Sequence, residues 1–197
     1  IRDSLSISSK EKLEKTLVGA MLQLGEKLGV SSVHVTFPTK NEWLGLGDIG
    51  MLLRIGQQFH WKNKNYDNFD EFLADLVSRK RKSIRKERNS IVNQNLDFQW
   101  LSGTDITENI WDTFYQFYLD TIDKKWGQNY LNRDFFSLIG ERLRESIVLI
   151  IAKDAGKPVA GALNFLGNKT LYGRNWGCNS DYKFLHFEVC YYQAIEY

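Results

Sequence analysis

The 197-residue sequence predicts an α/β chain of layered α+β type, with a mixed, largely antiparallel sheet flanked by helices. Three observations predict it. Amphipathic stretches with apolar residues at three- and four-residue steps alternate with short runs of alternating or β-branched character. Late in the chain three such runs follow one another through connections of hairpin length. A hydrophobic fraction of 43%, of which a large part is aromatic, is enough for a substantial core in one large domain or two small ones.

Taken in order, Lys10 to Leu28 predicts a helix, with Leu13, Leu17, Met21, Leu24 and Leu28 on one side and Gly29 as its stop. Ser32 to Phe37 (SVHVTF) alternates and predicts a strand. Thr39 to Leu46 predicts a short helix, with Thr39 and Glu42 at capping-box spacing. Met51 to Phe59 predicts a second strand. The first sixty residues then run α-β-α-β, half of a layered unit whose beginning lies outside this chain. Lys62 to Asp67 (KNKNYD) is polar and turn-like and makes the best domain boundary. Beyond it a long basic helix is expected from Phe69 to Asn93, a strand over Leu96 to Leu101, and an aromatic-rich helix over Thr107 to Lys125 with Thr107 as N-cap. Arg133 to Arg144 predicts another helix. Strands over Ile147–Lys153, Val159–Phe165 and Thr170–Cys178 are joined by DAGKP and GNK, which carry turn residues. Leu185 to Tyr197 predicts a closing helix.

Composition excludes several classes. No stretch approaches the ~20 apolar residues of a membrane span. The polar opening, Ile1 to Lys10, is no signal peptide. Two cysteines, Cys178 and Cys190, are too few for a disulfide framework, which makes a reducing, cytoplasmic setting the expectation. The missing initiator Met, and a last residue inside a predicted helix, point to a piece of a longer protein. Three scattered His and two separated Cys offer no metal-ligand spacing, and no Walker-type or dinucleotide glycine motif is present.

Charge is concentrated in one place. Arg79 to Arg88 (RKRKSIRKER) is +6 while the whole chain is +2, which leaves the remainder at −4. Such local patches usually hold phosphate or another polyanion. If the helix runs unbroken from Phe69, Lys80 falls in the middle of its apolar stripe, between Leu76 and Ile84, and Glu87 falls there too. Arg81, Arg85 and Arg88 then cluster on one flank. A lysine there must snorkel, pair with an acid or line a cleft, and a ligand-facing cleft is the favoured of these.

Other constellations follow from alternation and helical spacing. Tyr172, Arg174, Trp176 and Cys178 are expected on one strand face, and Gly173, Asn175 and Gly177 on the other. The glycines mark either a bulge or a close approach by another backbone or a ligand, or else an edge strand on which a helix packs. Gln58 and His60 share a face of the segment QQFHW, where a neutral His can bind a polar substrate or act as a base. His186 and Cys190 stand four apart on the last helix, within reach for a thiol–imidazole pair, although a core role for Cys190 is favoured.

Four segments in order, Gln57–Trp61, Ser78–Arg88, Tyr172–Cys178 (YGRNWGC) and Phe184–Tyr197 (FLHFEVCYYQAIEY), resemble the FemAB-like predicted N-acyltransferases of the GNAT superfamily, described as peptidoglycan biosynthesis or recognition proteins. The resemblance covers most of the chain. It implies tandem GNAT-like units: residues 1–62 as the C-terminal part of a first, partial unit and 63–197 as a second unit truncated at its C-terminus. The strand meander and following helix would form the transfer core. Lys80, Arg81, Arg85 and Arg88 would hold the phosphates of a nucleotide-linked acceptor, with Gln58, Arg174 and Trp176 completing the substrate site. One departure bears on the donor. Acyl-CoA-dependent relatives cradle pyrophosphate on a glycine-rich loop at a helix N-terminus, whereas Ser180 to Glu188 contains no Gly. Acyl-CoA and aminoacyl-tRNA both stay open as co-substrates, with no metal expected. The implied activity is N-acyl or aminoacyl transfer to an amine of a phosphate-bearing, wall-precursor-like substrate. The alternatives are an RNA- or polyanion-binding module and a catalytically silent recognition scaffold. Acyl transfer needs a base, an oxyanion donor and a proton for the leaving group. His60 or His186 is the expected base with Glu188 as substitute, backbone N–H groups near Asn175 to Gly177 the oxyanion donors, and Tyr172 or Tyr191 the acid.

Overall fold

A computed structural model describes residues 6–124 and 127–197, so Lys125, the expected last residue of the aromatic helix, lies outside the described residues. The chain divides into two compact units, Ile1–His60 and Trp61–Tyr197.

In the first unit, α1 (Ile7–Lys27) starts at Ser6, whose hydroxyl accepts from the Ser9 N–H, and stops before Gly29 at φ +65°. Helix α2 (Lys40–Asp48) begins with the expected capping box: the Glu42 N–H donates to the Thr39 hydroxyl and the Thr39 N–H donates to Glu42. The two expected strands, Ser32–Phe37 and Met51–Phe59, are not formed. Both segments are irregular and belong to no sheet. Alternation supplies a strand with one face, but only a neighbouring strand supplies its ladder. Leu52, Ile55 and Phe59 accordingly stand exposed.

The second unit carries the sheet. Helices α3 (Phe69–Asp75) and α4 (Ser78–Val92) come first, then β1 (Leu96–Leu101), α5 (Glu108–Asp123) and α6 (Arg133–Arg142). Strands β2 (Ile147–Asp154), β3 (Lys157–Leu166) and β4 (Leu171–Cys178) follow, all antiparallel in the order β1-β2-β3-β4. Ala155 and Gly156, both at positive φ, form the two-residue turn between β2 and β3 that matches strand twist. Thr107 makes no side-chain cap bond to α5. The chain closes with α7 (Leu185–Phe187), a π-helical stretch (Glu188–Tyr192) and α8 (Gln193–Glu196).

Strand β2 explains the layering. Its residues are apolar on both faces because both faces are covered. Ile147, Leu149 and Ile151 pack with Trp111, Phe114, Phe117 and Phe136 of α5 and α6. Val148, Ile150 and Ala152 pack with Leu185 and Val189 of the closing helical run and with Ile91 of α4. The sheet therefore lies between α5/α6 on one side and the α4–α7 side on the other.

Two corrections concern residues expected at the site. The basic helix is not continuous, because Leu76 leaves the helical region at ψ 149° and α4 starts afresh at Ser78. Lys80 sits in the first turn of α4, before the core-contacting residues Ile84 and Ile91, and is exposed. It does not line the core stripe. On β4 a register shift pairs Gly173 with Asn164 and Asn175 with Leu163, leaving Arg174 as the extra residue of a bulge. A bulge inverts the alternation, so Leu171, Trp176 and Cys178 share the α7-side core while Tyr172 does not join them. The expected common face of Tyr172, Arg174, Trp176 and Cys178 is thereby broken.

Gly177 settles which of its expected roles applies. A Cβ there would stand 2.2 Å from the Phe117 carbonyl oxygen, so the glycine exists to let α5 lie directly on β4. Gly177→Ala should lower the unfolding free energy by about 3 kcal/mol, at the upper end of overpacking costs because backbone rather than a flexible side chain is in the way. Urea denaturation followed by circular dichroism checks this. A loss within error of zero would mean that α5 does not approach β4 closely.

Candidate functional site

The basic run resolves into two sets of side chains with different employment. Three of its arginines are fasteners. Helix α3 ends with carbonyls that lack intrahelical partners, and Arg81 Nη1 donates to the Ala74 and Leu76 oxygens at 3.1 and 3.3 Å. Arg85 Nη2 reaches Asp70 at 3.4 Å, an exposed and therefore weak tie. Arg88 Nη2 donates to Glu188 Oε1 at 3.0 Å and to Glu196 Oε2 at 2.6 Å, with its guanidinium 4.5 Å from the centre of the Phe69 ring. Arg79, Lys80, Lys82 and Lys86 stay exposed. Along the outer side of α4, Lys82, Arg85, Lys86, Asn89, Ser90 and Asn93 line an open depression of about 460 Å³.

Glu188 lies at the centre of a polar network that the spacing of the sequence conceals. Its side chain is 3% exposed, Gln193 Nε2 donates to its Oε1 at 2.8 Å, and its Oε2 has no hydrogen-bond partner among the described residues. The neighbouring Tyr192 hydroxyl donates to Glu87, joining the π-helical stretch to α4 a second time. Burial first, and then that bond to Glu87, hold the Tyr192 phenol well above its ordinary range. Residues five apart face each other here because the turn is π-helical. No α-helical template would pair Glu188 with Gln193, and the bonds of Tyr192 to Glu87 and of Glu196 to Arg88 join segments more than 100 residues apart, which no local pattern shows.

The same geometry bears out the favoured core role of Cys190 over a histidine–thiol pair. The ring of His186 lies 5.8 Å from that of Tyr191, five residues on, and 5.1 Å from that of Trp176 on β4 at 77°. Cys190 packs into the core instead, and desolvation pushes its thiol up to about 12. A thiol so protonated is no nucleophile. What the structure does bring together is Trp176, His186, Phe187 and Tyr191, an aromatic cluster where β4 meets the helical run after it. Phe187 and Tyr191 are about half exposed.

At the bulge, Arg174 is exposed and donates from Nη2 to the Tyr130 hydroxyl at 2.8 Å. Asn164, 1% exposed, donates from Nδ2 to the carbonyls of Val148 and Ala162 and fills the disturbed ladder from below. Asn175 Oδ1 is buried without a hydrogen-bond partner among the described residues. Among the expected oxyanion donors, Asn175 to Gly177 pair in register with β3, whereas Arg174 stands opposite no residue of β3. His60 and Gln58 belong to the first unit, exposed and 3.3 Å apart through Nε2 and Oε1. Among the described residues, no helix is long and apolar enough to cross a membrane.

Because Arg88 neutralises a carboxylate taken out of water, its loss should cost far more than a surface charge. Arg88→Met is expected to destabilise the protein by about 3 kcal/mol by stranding Glu188, and Arg88→Met/Glu188→Leu should recover most of that loss. Chemical denaturation of the single and double variants measures both. A double variant no more stable than the single one would show that the pair does not carry the contact.

The family comparison bears on this arrangement as a whole. The FemAB-like family model, described as peptidoglycan biosynthesis/recognition, matches residues 4–197, nearly the whole chain and so both the basic helix and the sheet. No curated protein matches the chain. On that match the chain belongs to the FemAB-like family of peptidoglycan biosynthesis and recognition.

Proposed function

We propose that this protein transfers an acyl or aminoacyl group to an amine of a phosphate-bearing, wall-precursor-like substrate, and that the reaction takes place beside β4, in the second of two GNAT-like units. Family membership supports the transferase class. One observation carries the location: the bulged strand β4 and the helical run after it bring Trp176, His186 and Tyr191 within ring-to-ring distances of 6 Å.

The residues divide the chemistry as follows. His186, exposed at the mouth of the cluster, accepts the proton of the attacking amine. Tyr191 beside it returns a proton to the leaving group. Tyr172 suits that role less, since the bulge turns it away from Trp176. Glu188 is a poor substitute base because Arg88 and Gln193 already occupy one of its oxygens inside the protein. A backbone N–H at the bulge, beside Arg174, is the oxyanion donor on this reading. The Arg174 guanidinium, exposed and steadied by Tyr130, takes the substrate's phosphate. Arg81 and Arg88 suit that task less, because Arg81 is committed to the carbonyls that end α3 and Arg88 to two carboxylates.

The test is turnover with wall-precursor acceptors and with acyl-CoA or aminoacyl-tRNA donors. His186→Ala should lower kcat by roughly 10²- to 10⁴-fold, the usual contribution of a positioned base. Arg174→Ala should chiefly raise KM. Unchanged turnover in His186→Ala would remove the base from this reading, and activity lost equally in His60→Ala would relocate it to the first unit.

A further inference from the structure

Four cations of the basic run remain once the fasteners and the reaction site are accounted for, and three of them are in line. At about 100° per residue, Arg79, Lys82, Lys86, Asn89 and Asn93 fall within a sector of about 80° and extend over about 21 Å of α4. This sector faces away from the side of α4 that packs Arg88 and Ile91 onto the closing helical run and the sheet. It is therefore separate from the cluster around His186. Arg79, Lys82 and Lys86 are exposed, and none of their side chains makes a hydrogen bond or ion pair among the described residues.

We infer that this face of α4 is a docking surface for an anionic phospholipid bilayer, held by charge alone. Three observations favour that partner. The sector contains no aromatic side chain on which the bases of a single-stranded nucleic acid would stack. The apolar stripe of α4 is turned inward, with Ile91 2% exposed, so the helix rests on headgroups and does not insert. The sector also carries three cations and no acidic side chain, so a flat anionic surface attracts this face. The depression of about 460 Å³ beside Lys82 and Lys86 has room for a glycerophosphate headgroup, with Asn89 and Asn93 offered to its hydroxyls. This docking does not rest on the transferase reading, and a catalytically dead His186 variant keeps it.

The test is co-sedimentation of the complete chain with sucrose-loaded vesicles, of mixed phosphatidylglycerol and phosphatidylcholine or of phosphatidylcholine alone. Binding is expected only to the mixed vesicles, and high salt should release it. Each of Arg79→Gln, Lys82→Gln and Lys86→Gln should weaken it about five-fold. A Lys12→Gln/Lys15→Gln control on α1 should not. Thermal unfolding by circular dichroism confirms that the variants stay folded, as exposed positions should. Equal binding to neutral vesicles, wild-type binding by the triple variant, or displacement of the vesicles by single-stranded RNA at equal phosphate concentration would each overturn the inference.

Discussion

Helix α4 carries seven cations and buries only one side chain of its own, Ile91, so apolar burial alone does little to hold it. The contact that fixes it is the Arg88 guanidinium, clasped between Glu188 and Glu196 and laid on the Phe69 ring. An ion pair with one partner 3% exposed gains its strength from the cost of breaking it, since either charge left alone would stay out of water. The contact also sets the rotation of α4 about its axis. With Arg88 facing inward, Lys82 and Lys86 must face outward.

The π-helical stretch is the counterpart of that clasp. With the short helices on either side of it, it places Glu188 and Tyr192 toward α4, while His186 faces Trp176 of β4 with Tyr191 beside it. One short helical run thus serves two neighbours at once. The sheet supplies the other constraint, because β4 is held from behind by α5 through the contact that only glycine permits at position 177. Local strain or irregularity at functional sites is common, and here the bulge and the π-turn lie on adjoining elements.

Much of the second unit was legible in its sequence. The apolar run Ile147–Lys153 reads as a strand, though not as one covered on both faces, and the Ala155–Gly156 turn fell where hairpin-length spacing placed it. The Thr39–Glu42 capping box was equally plain, because both partners lie within one turn. What failed depended on information not local to the residues. Strands at Ser32–Phe37 and Met51–Phe59 needed neighbours that alternation cannot supply. The break at Leu76 and Val77 interrupts a periodicity that continues across it, which is why Lys80 was placed on the core stripe. The bulge at Arg174, one of the readings the flanking glycines offered, shifts every later side chain by one face, and period-two counting cannot place it. For the candidate site, the sequence named His186, Tyr191, Trp176 and Arg174. The pairing of Glu188 with Gln193 stayed hidden because five-residue spacing belongs to no common helix, and its pairing with Arg88 because the two lie 100 residues apart.

Strand β4 ends the sheet's order, with β3 on one side only. Such a margin, lined with donors and acceptors, invites another chain to add itself and begin an aggregate. The extra residue at Arg174 works against that outcome, since a kinked, more strongly twisted border offers no straight template over more than a few residues. A large, charged side chain at the kink adds bulk and like-charge repulsion between copies. The irregularity is thus a guard against self-association.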